Sequence, residues 1–173
     1  MNQLFVLVPL TVGATLAALP LVARDPREEK AAGVVRVAGR IVFLAVALLV
    51  SFAKVARAAQ IVSPGSPTLL LAVVPLAVVA ALLLVVGLRR EHVDPLARGE
   101  AMLMVVALPA VYAGLSLENG HGAVLVANVA VAYLGLGRIL RGRASGKRGV
   151  LGEGVAILAV LIAARLAEMA GVV

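Results

Sequence analysis

The stretch "TLLLAVVPLAVVAALLLVVGL", residues 68–88, carries no charged residue, and its only polar side chain is the threonine that opens it. A helix on the surface of a water-soluble domain needs polar residues every third or fourth position to coat its outer face. This stretch has none to offer, so every face of it must meet apolar surroundings.

Similar blocks recur along the 173 residues, of which 62% are hydrophobic and only 14% charged. Each is about 16 to 22 residues long, close to the roughly 20 that cross a bilayer as a helix. The chain is therefore read as all-α: a polytopic bundle forming one transmembrane domain over residues 1–173. Six spans are expected, at about residues 3–22, 34–56, 67–88, 101–117, 123–140 and 151–172. Ser66 and Pro67 have the residue types of an N-cap and first helical position for the third span. The first span has no Lys or Arg before it, unlike the basic start of a secretory signal, and is expected to be a retained helix.

The net charge of +7 would point to nucleic acid in a soluble chain. Here the cations flank apolar blocks, and two tyrosines without any tryptophan make a poor base-stacking surface, so no nucleic-acid partner is expected. The cations read instead as topology signals. "ARDPREEKAAGVVRVAGR" and "RILRGRASGKRG" hold five Lys or Arg each and "RREHVDPLARGE" three, whereas "SPGSP" and "LENGHG" hold none. Positively charged loops stay cytoplasmic. Three hairpins with basic cytoplasmic turns follow, with both termini outside, in the cytoplasmic (inner) membrane of a bacterium or archaeon. Anionic lipid head groups would meet the basic loops.

The second span, "RVAGRIVFLAVALLVSFAKVAR", has cations at both ends. At about 100° per residue, Lys54 returns to the direction of Arg36, with Arg40 near +40° and Arg57 near −60°. An unbroken helix would thus carry one cationic face. The inner pair, Arg36 and Arg40, fits the topology and groups with Glu100 and Glu153. For these two glutamates the reading preferred is an anion in the first turn of its helix, favoured by the macrodipole. The outer pair, Lys54 and Arg57, opposes the positive-inside bias and lies at the depth of Arg165 and Glu168. Glu168 is the natural partner for Lys54 or Arg57, with Arg165 at i, i+3 as the local alternative, the other readings being that the two cations meet a ligand or simply snorkel to the interface. The candidate intramembrane polar network is therefore Arg36, Arg40, Lys54, Arg57, Glu100, Glu153, Arg165 and Glu168.

Ala159, Ala163, Ala167 and Gly171 recur at intervals of four and form a small-residue ridge for helix packing. Gly13 with Ala17 and Ala110 with Gly114 are shorter versions. Asn128, Tyr112, Thr11 and Thr15 are read as interhelical hydrogen-bonding groups, and Pro9, Pro20, Pro75 and Pro109 as ordinary membrane-helix prolines.

Chemistry is poorly supplied. The chain has no cysteine, and its two histidines, His92 and His121, fall in loops on opposite sides, which excludes a haem or metal shared between them. The loop around Glu91, His92 and Asp94 is read as solvated. No catalytic, cofactor or metal site is expected. The function expected is a non-enzymatic scaffold or accessory subunit that packs against itself or a membrane complex. The alternative is a small transporter or channel drawing an anionic solute or lipid to the cationic face of the second helix. A lipid-modifying enzyme using His92 ranks third.

Overall fold

The computed structural model of the chain describes residues 4–22, 26–59, 67–89, 95–116 and 120–171, and no strand occurs among them. Helix α1 (Leu4–Ala18) runs into a 3-10 turn at Leu19–Val22. It is followed by α2 (Pro26–Val50), α3 (Ala53–Ala58), α4 (Pro67–Leu88), α5 (Pro95–Ser116), α6 (His121–Ser145) and α7 (Arg148–Met169). Six of these helices are long and apolar enough to cross a membrane. Ser66 and the loop residues Glu91, His92 and Asp94 lie outside the described residues, as do residues 60–66 and 117–119 of the two connections that hold no Lys or Arg.

Several helices extend past the apolar blocks that mark them. Helix α2 begins at Pro26 rather than near Val34, α5 at Pro95 rather than near Ala101, and α6 continues to Ser145. Arg, Lys, Glu and Ala favour helix, so the backbone stays helical after hydropathy has fallen. Proline is tolerated at the first helical position, where its missing N–H is unpaired anyway, and it opens α2, α4 and α5.

The second span is not one helix. Phe52 is extended (φ −80°, ψ 128°), which separates α2 from α3. The Ser51 hydroxyl donates back to the Leu48 carbonyl (2.5 Å) and the Phe52 N–H to Leu49 (3.1 Å), tightening the end of α2. The rotation carried from Arg36 therefore stops at Ser51, and the single cationic face expected of this span does not form.

Helix α1 packs on α2, α4 and α5, and α6 on α2, α5 and α7. Helices α4 and α7 are the edges: 17% and 11% of their spanning windows are buried, against 56% for α1. Outward residues such as Leu71, Val78 and Leu82 on α4 and Val155, Ile162 and Leu166 on α7 are apolar, while the buried charges point inward. The core is small-sided and dense, with Phe43, Leu7, Leu10, Met104 and Leu134 as its largest members.

Backbones cross closely at glycines. A Cβ on Gly39 would sit 2.7 Å from the Ala17 nitrogen and 2.8 Å from the Gly13 oxygen, so α1 and α2 touch main chain to main chain. A Cβ on Gly154 would meet the Gly135 oxygen at 2.6 Å and the Ile139 nitrogen at 2.7 Å, which sets the α6–α7 seam. Gly114 abuts the Ala123 backbone in the same way. The α7 ridge behaves differently. Ala159, Ala163 and Gly171 are exposed and Ala167 half-buried, because the glycine seam occupies another face of the helix.

Candidate functional site

Four helices deliver one charged side chain each to a single cluster. Arg40 comes from α2, Glu100 from α5, Arg138 from α6 and Glu153 from α7. Arg138 Nε lies 2.9 Å from Glu100 Oε1, and its Nη2 donates to Glu100 Oε2 at 3.2 Å. Arg138 Nη1 is 3.3 Å from Glu153 Oε2, and Arg40 Nη1 donates to Glu153 Oε1 at 2.5 Å. Arg40 Nε approaches Glu100 Oε2 at 3.7 Å. The ring is closed and carries two positive and two negative charges. Arg40, Arg138 and Glu100 are buried, with Glu153 facing outward at 41% side-chain exposure.

The two glutamates are not first-turn anions. Helix α5 starts at Pro95 and α7 at Arg148, which places Glu100 and Glu153 in the second turn, beyond the N-terminal orphan donors, where arginines hold them. Arg138 is the member that reading the sequence missed, having been counted as a loop cation. It falls on the inward stripe Ala127, Ala130, Leu134, Gly135, Arg138, Gly142, a spacing of three and four that was available in the sequence. Arg36 stays outside the ring.

The second cluster lies at the opposite ends of α2 and α7. There Arg165 donates to the Ser51 carbonyl and, at 2.8 Å, to the Ser51 hydroxyl, while its ring partner Phe52 lies 5.5 Å below. Glu168 pairs with Arg165 and accepts the Ala53 N–H at 2.8 Å. The break between α2 and α3 frees a carbonyl and an N–H, and an unsatisfied backbone group in an apolar layer costs several kcal/mol. The cation meets the C-terminal end of α2 and the anion the N-terminal end of α3, as the helix dipoles favour. Glu168 therefore takes Arg165, the local alternative, rather than Lys54 or Arg57. Those two are exposed and pair with no carboxylate among the described residues.

Because this latch is directional, exchanging its charges should not repair it. Glu168→Lys is expected to lower stability by about 1–3 kcal/mol, and neither Lys54→Glu nor Arg165→Glu should recover it. The latter restores an ion pair but turns a carboxylate toward the Ser51 carbonyl. Unfolding midpoints of the single and double variants in mixed micelles check this, and full recovery by Lys54→Glu would contradict the assignment.

Between the two clusters the helices carry no charged side chain. Along α2 the gap from Arg40 to Ser51 is about 16 Å, and along α7 from Glu153 to Arg165 about 18 Å. The uncharged polar groups serve mostly their own helices. The Thr11 hydroxyl donates to Leu7 and Val8 within α1, contrary to the interhelical role expected of it. Thr15 bonds Thr11 (2.8 Å) and reaches the Leu76 carbonyl of α4 (3.3 Å). Asn128 Oδ1 is buried and finds no donor among the described residues, where an interhelical bond was expected. No three of His, Asp and Glu gather as metal ligands among the described residues.

Among the described residues the fold is all-helical, with six helices long and apolar enough to span a membrane, tied by ionic contacts at two levels. Compared with protein-family models, with curated proteins and with solved structures, the chain matches none of them.

Proposed function

We propose that this chain is a non-enzymatic multi-pass membrane protein, a helix-packing scaffold or accessory subunit, in the cytoplasmic membrane of a bacterium or archaeon. The arginine-rich end of the bundle faces the cytoplasm and both termini the other side. The observation that carries the reading is the internal compensation of the buried charges. A proton- or ion-coupled path needs ionisable groups near the midplane, whereas the charged groups here neutralise one another or cap backbone in two separated layers. The anion-transport alternative rested on a continuous cationic face of the second span, and the break at Phe52 removes its geometric support.

The surface offered to partners, whether a second copy or a membrane complex, is the outward side of α7, where Ala159 and Ala163 allow another backbone to approach. Mass measurement after gentle solubilisation tests this. Wild type is expected to run as a defined assembly, and Ala163→Leu to release it while shifting the chain's own stability by no more than about 0.5 kcal/mol. A monomer in both cases would contradict the scaffold reading. Anion flux in proteoliposomes that disappears on changing Lys54 and Arg57 to Gln would replace it with the transporter.

A further inference from the structure

Helices α2 and α7 are pinned at the Arg40–Glu153 pair and at the Arg165–Glu168 latch, and both pack on α6. Between the pins they leave an open groove of about 370 Å³, walled by Val37, Ile41, Leu44 and Leu48 of α2 and by Ile157 and Val160 of α7. Its charged end is the Arg40–Glu153 pair. We propose that this groove holds one acyl chain of an anionic phospholipid whose phosphate meets Arg36. The proposal rests on the membrane reading above and narrows the expected contact with anionic lipid from diffuse basic loops to one site.

Charge and length identify the occupant. Arg36 lies one turn beyond Arg40, which lines the charged end of the groove, and directly precedes the wall residue Val37. It is half-buried, its Nε is shielded without a hydrogen-bond acceptor, and no carboxylate pairs with it among the described residues. The four-membered ring is already neutral, so Arg36, one turn past the charged end of the slot, is a cation without a counter-charge among the described residues. An anionic head group supplies the missing charge and acceptors. From Val37 to Leu48 the slot runs about 16 Å, close to the roughly 15 Å of one leaflet's share of a 30 Å hydrocarbon core. A helix from a second copy would run the full thickness, so an acyl chain of the adjoining leaflet matches the slot better.

Native mass spectrometry of the full chain, titrated with phosphatidylglycerol or with phosphatidylcholine of the same chain length, tests the site. Wild type should retain phosphatidylglycerol about fivefold better, the difference that one surface cation supplies. Arg36→Gln should abolish that preference, and Arg143→Gln, an exposed cation away from the groove, should leave it. Val160→Trp, which fills the slot from its exposed side, should lower retention of both lipids. Equal retention of the two lipids by wild type, a preference surviving Arg36→Gln, or retention indifferent to Val160→Trp overturns the site. A preference lost equally in Arg143→Gln also overturns it, while leaving diffuse attraction of anionic lipid to the basic end and the scaffold reading intact.

Discussion

Glu100→Leu is expected to destabilise the protein by about 3–5 kcal/mol, the usual cost of stranding a buried charge. Glu100 is the anion nearest Arg138 and also approaches Arg40. Removing it leaves two buried arginines sharing Glu153. The double variant Glu100→Leu/Arg138→Leu should recover most of the loss, because Arg40 and Glu153 remain as a neutral pair at 2.5 Å and the replaced side chains are apolar. A double-mutant cycle by SDS unfolding in mixed micelles measures the coupling. Losses that simply add would show that the two residues do not act as a unit. The same reasoning ranks Glu153→Leu below Glu100→Leu, since the partly exposed carboxylate is screened by its surroundings.

The second large effect lies at the α6–α7 seam. Gly154→Val would place its Cβ within 2.7 Å of two main-chain atoms of α6, which cannot rotate away as a side chain would. Helix α7 must move outward, a strain expected to cost about 1–3 kcal/mol or more. Displacement should also weaken the Arg138–Glu153 contact, so Gly154→Val and Arg138→Leu are expected to combine less than additively. Ala163→Leu on the outward ridge is the internal control, with little effect on the stability of the isolated chain. If Ala163→Leu were instead the more disruptive of the two, the seam and ridge would be exchanged.

These contrasts also mark what the sequence discloses. Apolar block length gives the helices because hydropathy in a bilayer acts on whole segments. It misplaces their ends because Arg, Glu and Ala keep the backbone helical beyond the apolar core, as at Pro26 and Pro95. Those displaced ends led Glu100 and Glu153 to be read as first-turn caps. Arg40 could be grouped with them from helical depth alone, but Arg138 needed its stripe to be followed past the apolar block. The break at Phe52 has no proline or glycine to announce it. It depends on Arg165 and Glu168, more than a hundred residues away, to satisfy the freed groups. The α7 ridge was visible as a spacing, yet spacing does not say which side of a helix faces its own chain; the Gly154 contacts do.

On the proposed function, the buried charges lock helices together and do not form a path across the membrane. Proteoliposomes carrying wild type or Glu100→Leu/Arg138→Leu, loaded with a pH-sensitive and a chloride-sensitive dye, measure this directly. Proton and chloride leak equal to that of protein-free vesicles for both proteins is the result predicted. Flux above that level in wild type, abolished by the double variant while it remains folded, would contradict the account.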